Sequence, residues 1–135
     1  MNIYEFAENN EVYHSKDLID ADTIADIERG AGLSFGPELT EYVLKYGYLA
    51  YKHIELYGIN AVQKNESDMV KQSIYLHSYF PKTVGYIALE NMGDGDYVLV
   101  SPDDEVVEFS SEEDLIKETR LKLFDYIVKR FQSAD

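Results

Sequence analysis

"ALENMGDGDYVLVSPDDEVVEFSSEED", residues 88–114, decides how this chain folds. Apolar runs sit among acids around Gly93-Asp94-Gly95-Asp96, and the stretch reads as a calcium loop, an acid cluster for catalysis, or a β-hairpin. An EF-hand loop needs oxygen ligands at positions 1, 3 and 5, Gly at 6 and Glu at 12. Counting from Asp94, position 3 is Asp96, but positions 5 and 6 are Val98 and Leu99. That pattern fails, leaving only a looser calcium site on Asp94 and Asp96 as an alternative. Gly93 and Gly95 supply positive φ and Asp94 tolerates it, so the segment reverses direction between two strands. Pro102-Asp103-Asp104 forms the next turn, because Pro fixes φ at a turn's second position and Asp favours its corners. The β runs are then 84–89, 96–101 and 105–109.

Working outward, 20–32 reads as a helix. Thr23 and Asp26 resemble a capping box, Ile24, Ile27 and Ala31 share a face, and Gly30 and Gly32 close it. A second helix spans 37–47, with Pro37 at its first position, Leu39, Tyr42, Val43 and Tyr46 on one stripe, and Gly47 as the stop. Residues 48–59 turn aromatic and β-like, 66–79 read as a helix despite Ser73 and Ser78, and a closing helix runs over 119–131. Helices first, an antiparallel meander, and a helix last predict an α+β fold. With 135 residues and no repeat or low-complexity linker, one domain over 1–135 is expected.

Charge is the unusual property. The chain carries 26 acids against 12 bases, a formal net charge of −14. Such a chain repels nucleic acid and anionic membranes and attracts a basic protein or a metal ion. Residues 90–118 hold eleven acids and one base, net −10, and residues 1–28 hold eight acids and one base. A solvated, solubilising surface accounts for part of this. Crowded like charge also costs stability, which a cationic partner would relieve. The candidate partner-binding residues are therefore Asp94, Asp96, Tyr97, Asp103, Asp104, Glu105, Glu108, Glu112, Glu113 and Asp114. Tyr97, Tyr48 and Tyr51 are possible interface anchors, and for each the alternative is core packing.

Catalytic chemistry is not encoded in a recognisable form. Cysteine is absent, which removes disulfides, thiolate metal sites and thiol catalysis. His14, His53 and His77 lie in separate elements, and neither a phosphate loop nor a nucleophile elbow occurs. Asp103 and Asp104, in a turn, are expected to be solvated with ordinary acidity. No catalytic residue, cofactor or metal ligand is assigned. No apolar run is long enough to span a membrane, and Met1-Asn2-Ile3-Tyr4-Glu5-Phe6 lacks the features of a signal peptide, so a cytoplasmic protein is expected.

Three pieces then carry a resemblance to the SUKH superfamily, which includes the Smi/Knr-type domain of fungal cell-wall regulators and many bacterial toxin-immunity proteins. "PELTEYVLKYG" (37–47) resembles its aromatic-rich helix ending in Gly. "IELYGI" (54–59) is similar to its strand and Gly turn, and "GYIALENMGDGDYVLV" (85–100) to its signature strand, Gly-Asp-Gly turn and strand. "LFDYIVKRF" (123–131) falls where the family has a terminal helix. Two features depart from the pattern: Leu33-Ser34-Phe35-Gly36-Pro37 replaces an aliphatic-Pro pair, and Tyr48 and Tyr51 stand in a region where many relatives have Trp. The resemblance implies helices packed around a curved antiparallel sheet and no catalytic residues. For the bacterial branch it implies an immunity protein that blocks a cognate toxin, for which an acidic surface suits a basic nuclease-type target. A non-enzymatic scaffold or regulatory module is the other reading.

Overall fold

The computed structural model describes residues 1–59 and 68–134. Among these residues, two antiparallel sheets and five α-helices make up the α+β fold the sequence predicts. A small sheet of order β1-β2-β3 joins Tyr13–His14, Leu49–Tyr51 and Ile54–Glu55. The larger sheet is the expected meander with one strand added: β4 Ile87–Gly93, β5 Asp96–Val100, β6 Glu105–Ser110 and β7 Leu115–Lys122. Register shifts at 88–90, 91–93 and 105–107 are the bulges that curve it.

Local signals set most helices. In α2, Ala21–Ala31, the N-cap is Asp20 rather than Thr23; its carboxylate accepts from Thr23 N at 2.8 Å, and Gly32 closes the helix in the left-handed region. In α3, Pro37–Tyr46, Pro37 and Gly47 act as the sequence predicts. Helix α4, Met69–Tyr79, is capped by Asp68, whose carboxylate accepts from Val70 N and Lys71 N; residues 66 and 67 of the expected helix lie outside the described residues. Ser73, which weakens the helical reading, has a buried function. Its hydroxyl donates to Met69 O and accepts from Ala88 N at 2.8 Å, tying α4 to the edge of β4.

Besides β7, the sequence reading misses two elements, and it misplaces one. Helix α1, Ile3–Asn9, is only seven residues long and depends on Asn2 as its cap. The short β1 is exposed on both residues and exists only by pairing with β2. The closing helix α5 is Leu123–Gln132, so 119–122 belong to β7. That strand is held by its neighbour: Lys122 lies opposite Glu105 and Lys117 opposite Glu108, favourable cross-strand charge pairs.

The core draws on every layer. Phe6 of α1, Tyr51 of β2 and Phe131 of α5 form a ring cluster with centroids 5.2–5.8 Å apart. Tyr51 is thus a core residue and not an interface anchor, at 5% exposed. Tyr42 is wholly buried; its hydroxyl donates to Tyr57 O at 2.7 Å and accepts from Leu49 N, and burial raises its pKa. Gly58 is required by close approach, since a Cβ there would lie 1.9 Å from Gly47 O. The glycines of two of the family-like motifs therefore pack against each other.

The Gly-Asp-Gly turn has φ of 92°, 55° and 81° at Gly93, Asp94 and Gly95, joining β4 to β5 as expected. A Cβ on Gly95 would also approach Ser111 Oγ to 2.4 Å. Gly95→Val should therefore cost on the order of 1–3 kcal/mol. Thermal unfolding measures this, and an unchanged midpoint would show that the turn does not need its glycine.

Candidate partner-binding surface

The meander sorts the candidate acids by turn. The β4–β5 and β6–β7 turns lie at one end of the sheet, carrying Asp94, Asp96, Glu112, Glu113 and Asp114. The β5–β6 turn lies at the other, with Asp103, Asp104 and Glu105, about 17 Å away along five residues of strand. The turn acids are thus divided between two ends of the sheet.

At the first end a shallow groove of about 380 Å³ opens on the sheet, lined by Asp94, Asp96, Glu108 and Glu113 together with Met92, Leu115 and Lys117. The pairing register places Glu90, Val98, Glu108 and Lys117 in one row on this face. Arg130 of α5 reaches the same row through Glu90, so the helix covers part of the face and the groove lies beyond it. Met92 and Leu115 are 43% and 41% exposed, which adds apolar contact area between the acids. Lys117 is the one base in the lining. Asp114 sits beside the groove and is partly neutralised by Lys82, 3.8 Å away, which also donates to Asp114 O.

Tyr97 lies on the opposite face. Its row is Asn91, Tyr97, Phe109 and Ile116, and Phe109 packs on Phe80 at the end of α4. The Tyr97 pKa is raised by burial and then by Tyr75 of α4, which places the ring beside that helix and half-buried. Tyr48 is also half-buried.

Asp104 corrects the expectation of a solvated turn acid. It is 4% exposed, at φ 64°, and its two carboxylate oxygens accept from Glu38 N at 2.9 Å and Leu39 N at 3.0 Å. These are free amides at the start of α3, whose N-cap position is Gly36 and offers no side chain. Asp104 supplies the missing cap from the far turn, which takes it off the surface offered to a partner. Glu38 repeats the device, accepting from Phe124 N at 2.8 Å at the start of α5. Asp103 and Glu105 remain exposed, with Lys122 donating to Asp103 O.

A second buried acid was not singled out from sequence. Glu90, 3% exposed, receives both Arg130 Nη2 at 2.8 Å and Nε at 3.2 Å. Hydrogen bonding to Glu90 raises the Arg130 pKa. Around the pair, burial and then Glu90 raise Tyr126, while burial and then Tyr97 push Tyr57 up to about 12. The available signal was an acid inside the apolar run Ile87-Ala88-Leu89-Glu90, which a strand buries only with a partner.

Among the described residues, no three His, Asp or Glu side chains are grouped to hold a metal, and no helix is long and apolar enough to cross a membrane. What the groove offers is negative charge with apolar contact, suited to a protein surface of opposite sign. A comparison with curated proteins gives no match. The SUKH_5 family model, described as SMI1-KNR4 cell-wall, matches residues 2–132, including the α3 helix, the Gly47–Gly58 contact, the Gly-Asp-Gly hairpin and α5. By that match the chain belongs to the SUKH_5, or SMI1-KNR4, family.

Proposed function

We propose that this protein is an immunity protein that binds a cognate toxin domain with a basic, nuclease-type surface and neutralises it in the cytoplasm. The observation that carries this reading is the convergence of Asp94, Asp96, Glu108 and Glu113 on one groove with exposed Met92 and Leu115. Family membership is consistent with an immunity role and with binding rather than catalysis. The charge of −14 disfavours nucleic acid and anionic membranes as partners. A regulatory or scaffold module is the second reading, favoured by the cell-wall description of the matched family.

The test is surface plasmon resonance against the toxin encoded beside this gene, at two salt concentrations. Reversing Asp94, Asp96 and Glu113 together to Lys should slow association about tenfold or more at low salt, because these exposed charges steer the encounter. Reversing Asp103 and Glu105 alone, with Asp104 kept, should have the smaller effect. Equal loss from both ends, or loss from the far end only, would remove the groove from the path of association. Absence of binding by the wild-type chain would favour the regulatory reading.

A further inference from the structure

Residues 111–114, the β6–β7 turn, carry Glu113 into the groove, and little in the turn itself holds them there. Glu112, Glu113 and Asp114 are three acids in a row, all exposed. Asp114 stands in the left-handed region at φ 52°. The strand that follows gives no anchor, because none of the eight residues of β7 is buried. Self-repulsion and exposure put such a turn at the loose end of a fold's local stability. Among the described residues, two hydrogen-bonded links reach 111–114 from outside the β6–β7 hairpin. Ser111 N donates to Gly95 O at 2.9 Å, joining this turn at its first residue to the Gly-Asp-Gly turn. Lys82 Nζ donates to Asp114 O at 2.7 Å, holding its last residue, with the Asp114 carboxylate 3.8 Å away.

We propose that Lys82 is a positioning residue for the partner-binding groove, fixing the β6–β7 turn so that Glu113 stands as one wall of it. This role rests on the groove being the binding site proposed above. The base of the lysine is rigid. Lys82 lies in a single 3-10 turn, Pro81–Thr83, between α4 and β4. Pro81 fixes φ there, and Thr83 is 1% exposed, with its hydroxyl donating to Phe80 O at 2.7 Å. Phe80 packs edge-on against Phe109 of β6, with ring centroids 5.3 Å apart. Lys82 thus reaches from a buried root to an exposed carbonyl through a charge-assisted hydrogen bond, which is stronger than a neutral one. Exposed ion pairs contribute little, and the Lys82 and Asp114 side chains are more than half exposed. The ordering is therefore assigned to the bond with the carbonyl and not to the carboxylate. A wall ordered before the partner arrives does not have to be ordered by it. Lys82 also partly neutralises Asp114, which leaves Glu112 and Glu113 as the acids this turn offers to a partner.

Amide nitrogen relaxation on the full, unbound chain tests the clamp first. Residues 112–114 of the wild type should show order parameters of about 0.85, and Lys82→Met should lower them below about 0.6 while the turn at 103–105 is unchanged. Lys82→Arg keeps a charged donor and should restore the order. Asp114→Asn removes the carboxylate but keeps the carbonyl and a side chain that tolerates positive φ, so its turn should stay ordered. Surface plasmon resonance against the toxin encoded beside this gene then reads the groove. Losing Lys82 makes the surface more negative, so Lys82→Met should associate as fast as the wild type or up to about twofold faster. It should dissociate about five- to tenfold faster, because the partner must now order the wall. A lysine acting only as a charge gives the faster association without the faster dissociation. Circular dichroism and the unfolding midpoint check that the variants fold. Unaltered order parameters in Lys82→Met overturn the proposal, as does an Asp114→Asn turn that loses order to the same extent, or a dissociation rate that Lys82→Met leaves unchanged. A wild-type chain that does not bind this toxin overturns the immunity reading instead, and the relaxation data still decide whether Lys82 holds the turn.

Discussion

Replacing Arg130 with Met is expected to lower the free energy of unfolding by about 3–5 kcal/mol, the cost of leaving a buried charge without its partner. Glu90 is 3% exposed and its carboxylate is met by both nitrogens of the guanidinium edge, at 2.8 and 3.2 Å. Its other neighbours include Tyr126 and Tyr57, whose raised pKa values report the same poorly solvated, negative surroundings. Once Arg130 is gone, the carboxylate must either remain charged in that setting or take up a proton. Lys at 130 keeps the charge without the two-pronged geometry, so Arg130→Lys should fall between wild type and Arg130→Met. Removing both charges should restore most of the loss, because a buried pair is often no better than apolar residues of similar volume. Urea unfolding of Arg130→Met, Glu90→Met and the double variant completes the cycle. A single-variant cost below about 1 kcal/mol would mean that water reaches the pair.

Asp104→Ala is expected to cost about 2–4 kcal/mol, as two amides at a buried helix start lose a charged acceptor and one residue loses a side chain suited to positive φ. The surface position of Asp103 predicts no comparable loss from Asp103→Ala. Gly36 gives an independent check. A Cβ at Gly36 would lie 2.4 Å from Asp104 Oδ1, so Gly36→Ala should push the carboxylate off its amides and destabilise the fold by a similar mechanism. In an Asp104→Ala background the space is vacant, and Gly36→Ala should then cost much less. This non-additivity distinguishes a tertiary cap from two unrelated weaknesses. Additive losses would sink the assignment. Any charge reversal that includes Asp104 is a stability variant, and loss of binding in it says nothing about an interface.

These residues also show what was legible in the sequence. Helix α3 could be read because its signals are local: Pro37 starts it, Gly47 ends it, and four apolar residues keep helical spacing between them. The Gly-Asp-Gly and Pro-Asp-Asp turns were legible for the same reason. Strand β7 was not, since Lys117, Glu118 and Lys122 favour helix in isolation and become a strand edge only opposite β6. Asp104 could not be told from Asp103 by any neighbour in sequence, because the amides it caps lie 65 and 66 residues away. The acidic block was visible as composition, but only the pairing register divides it between two ends of the sheet. Residues 66–79 were legible only as a helix; that Met69 and Leu76 take the core side while Ile74, Tyr75 and Tyr79 stay exposed is set by packing on the sheet.

The two carboxylate caps have a consequence for the order in which the chain can close during synthesis. Helix α3 leaves the ribosome long before Asp104 exists, so its first amides are bare while the following strands are being made. Only when the β5–β6 turn arrives does α3 gain its cap, and only on α3 does Glu38 stand ready for Phe124 of the last helix. Such long-separation contacts are entropically expensive to form early. Helix α5 is thus received by a site completed just before it, and the molecule locks from its middle outward with the first turn of that last helix as the latch.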